Sequence, residues 1–69
     1  MNNAPKRKFT VADNAFKSET YAHYNGATVT EAVDKEGVQQ EGRSGNTKAY
    51  DTAQGGRLFL HDDQVKLIG

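Results

Sequence analysis

Lys6, Arg7 and Lys8 stand in a row directly ahead of Phe9, and of all the residues here they are the best suited to recognition. Clustered cations beside an aromatic ring can grip a nucleic-acid backbone or an acidic protein surface. Three charges are few, however, and the chain's nine Lys and Arg are balanced by nine Asp and Glu, whereas a dedicated nucleic-acid binder carries a basic excess. The same run reads equally well as a solubilising arm with no partner. A second candidate surface gathers Tyr21, His23, Thr28 and Thr30; its plain alternative is a half-exposed sheet face covered by a loop. A pH-sensing role for His23 rests on its residue type alone. Arg43 belongs to the loop 42–46, GRSGN, which offers backbone N–H groups and a guanidinium to a phosphate. That loop lacks the Gly-Lys-Ser/Thr ending of a nucleotide-binding P-loop.

His61, Asp62 and Asp63 are metal-ligating residue types in sequence, but neighbouring strand residues point to opposite sides and Asp at a turn bonds its own backbone, so they read as a turn. Covalent catalysis is poorly supplied. The chain has no cysteine, its serines are Ser18 and Ser44, and neither sits in a nucleophile elbow. A catalytic site also needs a concave pocket, which a core this small can hardly enclose. The expectation is a non-enzymatic protein that needs no cofactor and no metal.

These residues need a scaffold to hold them. With 69 residues there is room for one domain, burying only about 60% of the surface its unfolded chain exposes. Leu, Ile, Val and Phe number twelve, a low share that would suggest disorder if the net charge were high. It is zero. A marginally stable folded domain is therefore expected, with residues 1–8 as a flexible basic arm and residues 9–69 as a single small β-rich domain. The absence of cysteine suits a reducing cytoplasm, and the lack of a long apolar run or secretory segment predicts neither export nor membrane insertion.

The densest apolar spacing lies in GRLFLHDDQVKLIG, residues 56–69. A two-residue turn at Asp62 and Asp63 would pair Leu60 with Val65 and Leu58 with Leu67 on one face. Arg57, Phe59, His61, Gln64, Lys66 and Ile68 would take the other. Upstream, residues 10–26 support two readings. One is a helix capped by Thr10 and stopped at Asn25-Gly26. The other is a hairpin about Asn25-Gly26 pairing Tyr24 with Ala27, Ala22 with Val29 and Tyr21 with Thr30. Aromatic and β-branched flanks favour the hairpin, with a short helical turn near residues 12–17. One residue resists this register: Glu31 falls on the face of Val29 and Val33, which calls for a bulge or an exposed edge. Residues 34–37 predict a turn, 38–41 a short strand, 47–52 a strand and 53–56 another turn. Turn signals recur about every ten residues, as in a small antiparallel meander or open barrel. The fold class expected is mainly β, or α+β if residues 11–24 are helical.

The opening MNNAPKRKFTV and the closing GRLFLHDDQVKLIG resemble the small phage-encoded transcription regulators of the Xanthomonas-phage type. The resemblance implies a protein that binds the large subunits of bacterial host RNA polymerase near the RNA exit region. It further implies inhibition of σ-dependent initiation and transcription antitermination, within the host cytoplasm. No individual contact residue carries over. Read from the residues, the partner-binding candidates are Lys6, Arg7, Lys8, Phe9, Tyr21, His23 and Arg43, on a chain expected to be monomeric and in electrostatic reach of nascent RNA. Two other readings stay open. One is a single-stranded nucleic-acid-binding small barrel using Phe9, Tyr21, Tyr24 and Arg43. The other is an inhibitor of a different host system, such as a nuclease defence complex.

Overall fold

The structure, a computed structural model, describes residues 6–42 and 45–68. It is mainly β. Five short strands, β1 (Lys8–Val11), β2 (Thr28–Glu31), β3 (Lys48–Thr52), β4 (Arg57–Leu60) and β5 (Val65–Leu67), form one antiparallel sheet in the order β4-β3-β2-β1-β5. Two 3₁₀ turns, Ala22–Tyr24 and Asp62–Gln64, are the only helical elements among the described residues.

Consecutive strands β4 and β5 thus occupy opposite edges of the sheet. Four strand spacings would set those edges about 19 Å apart if the sheet were flat. The connection from Leu60 to Val65 is short and folds into a 3₁₀ turn, which rises only about 2 Å per residue. The sheet therefore curls, and the result is a half-barrel whose mouth lies between β4 and β5.

Period-two alternation fills its interior. Phe9, Val11, Val29, Tyr50, Leu58 and Leu60 form the buried cluster, with Ala15, Phe16, Tyr24 and Val65 packed against it. Phe9 meets Tyr50 edge-on, with ring centroids 5.2 Å apart. Each fully buried side chain of this size contributes about 1.5–3 kcal/mol, so a handful of residues carries the fold.

Two expected pairings give way to others. Leu60 does not pair with Val65. β4 pairs with β3, Leu60 lying opposite Lys48, and β5 pairs with β1, Val65 lying opposite Val11. The reason lies at the expected turn. The Gln64 amide oxygen accepts the His61 N–H at 2.8 Å, and its amide nitrogen donates to the Ala15 carbonyl at 3.0 Å. This extends the turn to Gln64 and swings the chain across the barrel mouth. The apolar alternation marked both strands correctly but could not say which neighbour each would take.

Nor does Asn25-Gly26 make a hairpin. Gly26 has the positive φ, 78°, but Asn25 sits at φ −61° and ψ 131°. With the Ala27 N–H donated to the Tyr24 carbonyl, this is a type II turn, whereas a two-residue hairpin wants a primed turn. Asn25 is held there by its own side chain, which accepts the Phe16 N–H and donates to the Phe16 carbonyl, both at 3.0 Å. Tyr24 therefore falls in a 3₁₀ turn, and β2 pairs with β1 instead, Val29 opposite Phe9. Residues 12–27 form a closed excursion between β1 and β2. Its start is a single hydrogen-bonded turn, Ala15 N–H to Ala12 carbonyl; the short helical turn expected near 12–17 is reduced to this, with no regular helical element there.

Other expectations match. Residues 34–37 turn, with the Asp34 carboxylate accepting the N–H groups of Glu36 and Val38. β3 and β4 join through a tight turn where Gly55 has φ 92° and the Thr52 N–H donates to the Gly56 carbonyl. The short strand expected at 38–41 is reduced to two isolated bridges, Val33 with Gln39 and Glu41 with Lys48.

Candidate partner-binding surface

The residues of the basic run separate according to strand alternation. Phe9 and Val11 point into the barrel, so Arg7 lies on the inner rim and Lys6 and Lys8 lie outside. Arg7 is committed to Glu31. Its guanidinium Nε and Nη2 donate to the Glu31 carboxylate at 3.1–3.2 Å, and its backbone N–H donates to Oε2 at 2.8 Å. Glu31 N–H in turn donates to the Arg7 carbonyl. Glu31 is buried, and it is this pairing, rather than a bulge or an exposed edge, that allows an acid on the core face. Burial alone would raise the Glu31 carboxyl. The hydrogen bonds from Arg7, reinforced by the charges of Arg7 and Lys48, outweigh it and hold the group below its ordinary value, while the same bond raises Arg7. Arg7 also lies over the Phe9 ring, 5.5 Å from its centroid.

Phe9 itself belongs to the core, at 9% exposure. The expectation that it offers a ring to a partner gives way: its position on the inner face of β1 makes it a packing residue. β1 already begins at Lys8, so Arg7 and Lys8 of the expected arm stand on the sheet. Residues 1–5 and Arg43 lie outside the described residues.

Lys6 and Lys8 have no carboxylate partner among the described residues, and neither has Lys66 of β5; the ion pairs are Arg7 with Glu31, Lys48 with Asp62, and Arg57 with Asp51. Beside Lys6 and Lys8 lie the half-exposed Leu67 and Ile68. Lys6, Arg7, Lys8, Leu67 and Ile68 line a shallow groove of about 390 Å³. Cations with flexible stems next to exposed aliphatic side chains suit a partner that is both acidic and apolar.

Tyr21 and His23 lie elsewhere, on the excursion that leaves the far end of β1. The length of that strand, about 10 Å, separates them from Lys8, and the structure does not bring the two candidate surfaces together. Tyr21, 48% exposed, stacks on Tyr24 with centroids 6.2 Å apart, and Phe16 lies 5.6 Å from one ring and 6.1 Å from the other. His23 stands 4.0 Å from Tyr24. Neither Tyr21 nor His23 shares a strand face with Thr28 and Thr30, because residues 21–24 form no strand.

Lys66, Leu67 and Ile68 are the surface residues that sequence reasoning left out. Their apolar and basic alternation is visible in the chain, but taken alone it predicts a hairpin with residues 57–60, which would bury Leu67. Only the pairing of β5 with β1 brings this triplet next to Lys8.

No protein-family model matches the chain, and neither a curated protein nor a solved structure matches it. No helix among the described residues is long and apolar enough to cross a membrane.

Proposed function

We propose that this chain is a non-enzymatic regulator that binds the large subunits of bacterial host RNA polymerase, opposes σ-dependent initiation and promotes read-through of terminators. The polymerase enters through the resemblance of the two chain ends to small phage regulators. The observation that supports a protein-binding role is the surface where Lys6, Lys8 and Lys66, without ion-pair partners among the described residues, adjoin the exposed Leu67 and Ile68. Such a surface gains little from folding and much from contact with an acidic, partly apolar partner.

The test is a pull-down with the tagged chain from nuclease-treated host lysate, washed in a salt series. The expected result is stoichiometric recovery of the large polymerase subunits depleted in σ, followed by reduced initiation and increased terminator read-through in a reconstituted assay. Recovery of a different complex would replace the polymerase with that partner, the inhibitor reading. No recovery of the large subunits would refute the polymerase assignment.

A second reading has its own observation: the Tyr21 and Tyr24 rings stack beside Phe16 with Tyr21 half-exposed, and a base can stack on such a platform. Phe9 drops out of that reading because it is buried. Quenching of tyrosine fluorescence by a short single-stranded oligonucleotide, with steep salt dependence, would favour it.

A further inference from the structure

We propose that β5 is a docking edge for an extended, acidic segment of the partner protein, which joins the sheet as a sixth strand. This rests on the reading above that the chain acts by binding a protein, and it specifies the chemistry of what is bound.

The backbone supports it first. Among the described residues, β5 ends the strand order and is hydrogen-bonded on one side only, to β1. Ile68 donates its N–H to the Lys8 carbonyl and Gln64 accepts the Ala12 N–H, so residues 64, 66 and 68 turn their peptide groups toward β1. By alternation the N–H and C=O groups of Val65 and Leu67 point away from the sheet. Unpaired edge groups of this kind are a template for another strand. Two grooves lie over the seam that β5 makes with β1, one at Lys6, Arg7, Lys8, Leu67 and Ile68 and a second of about 370 Å³ lined in part by Thr10, Asp63, Val65 and Lys66; they leave the side chains beside the edge open to a partner.

Side chains then define the occupant. Val65 and Leu67 share the inner face with Val11 and Phe9 across the β1 register, while Lys66 lies beside Thr10 on the outer face. A strand added here would therefore place apolar residues opposite Val65 and Leu67, and an acidic residue opposite Lys66, within reach of Lys8. Asp13 and Asp63 mark the opposite end of the strand, so the acidic residues of the occupant belong toward the Leu67 end. A second copy of this chain fits poorly, since a two-fold pairing of β5 about Lys66 would set that lysine against its own equivalent. A nucleic acid would use the lysines but neither the outward peptide groups nor Leu67.

The experiment follows amide exchange in the ¹⁵N-labelled full chain during titration with an N-acetylated, C-amidated peptide of about eight alternating valine and glutamate residues. The same peptide with lysine for glutamate and a short single-stranded oligonucleotide are the controls. The expected result is that exchange at Val65 and Leu67 slows by about tenfold or more, while Phe59, whose N–H points outward from the opposite edge at β4, is unchanged. Protection is expected to weaken with salt and to be absent with the lysine peptide. Leu67→Pro removes an outward N–H without breaking a bond inside the sheet and abolishes the protection at Val65; Leu67→Ala keeps the donor and only weakens it. If the proline variant fails to fold, Lys66→Glu gives the same test through charge.

Unchanged exchange at Val65 and Leu67, equal protection by the lysine peptide, or oligonucleotide binding without glutamate-peptide binding would each overturn the proposal. Polymerase recovery is a separate readout. Polymerase captured while both amides stay unprotected overturns the added strand alone, and protection without polymerase capture upholds the added strand while removing the polymerase assignment.

Discussion

The two edges of the half-barrel are built from the same alternation and end in opposite states. At the β4 edge, Arg57 pairs with Asp51 at 2.9 Å, Lys48 of the neighbouring β3 pairs with Asp62 at 3.3 Å, and Phe59 is backed by the close approach of Gly42. At the β5 edge, Lys66 and the neighbouring Lys8 have no carboxylate partner among the described residues, and Leu67 and Ile68 are half-exposed. Apolar surface does not separate the two edges, since Phe59 of β4 is itself 48% exposed; charge does. The cations at the β4 edge are neutralised, whereas Lys8 and Lys66 at the β5 edge stay available beside exposed aliphatic side chains, and an acidic partner finds its counter-charge there.

Both edges depend on one core, so the largest expected effect removes the comparison altogether. Phe9→Ala empties the contact with Tyr50 and is expected to cost about 3–5 kcal/mol, most of the stability available to so small a domain. Loss of dispersed amide resonances and of the cooperative urea transition would show it. A folded Phe9→Ala variant would mean that the ring is not the packing residue it is taken to be.

Next comes the buried acid of β2, the central strand from which both edges are reached. Because the folded-state value of Glu31 is lowered, its contribution to stability is present above its ordinary value near 4.5 and is lost as pH falls through the lower folded value. The wild-type chain should therefore lose stability below about pH 4.5, and Glu31→Gln should flatten that profile while costing about 1–3 kcal/mol at neutral pH. Urea midpoints measured between pH 2 and pH 7 check both. An unchanged acid profile in the variant would remove Glu31 as its source.

Gly26→Ala acts on the excursion alone. A side chain at φ 78° is strained, and its Cβ would approach the Asp13 carboxylate at 3.3 Å; a loss of about 1–2 kcal/mol is expected. A neutral effect in thermal unfolding would contradict the type II turn.

The smallest stability effects carry the comparison itself. Lys66→Glu and Arg57→Ala are both surface changes, expected to move stability by no more than about 1 kcal/mol. In binding they should differ: Lys66→Glu weakens partner capture and reduces its salt dependence, whereas Arg57→Ala leaves both unchanged.

Much of this was legible in the chain. The alternation at 57–60 and 65–67 marks two strands, the glycines at 55 and 56 mark their approach, and the overall β character follows from closely spaced turns. Strand partnership was not legible, because the choice between a hairpin and a crossing of the barrel mouth is made by side-chain hydrogen bonds from Gln64 and Asn25 that no periodicity encodes. Of the candidate surface, Lys6 and Lys8 were visible as charge. Arg7 could not be told apart from them until Glu31, the residue that refused a place in the register, proved to be its partner. Lys66, Leu67 and Ile68 were hidden by the same misassigned pairing.

The most direct measurement is polymerase recovery by paired charge-reversal variants of the two edges, Lys8→Glu with Lys66→Glu against Arg57→Glu, each shown to be folded by its amide spectrum. Recovery is expected to fall at least about tenfold for the first and to stay at the wild-type level for the second. Equal loss at both edges, or full recovery by the Lys8 and Lys66 variant, would contradict that expectation.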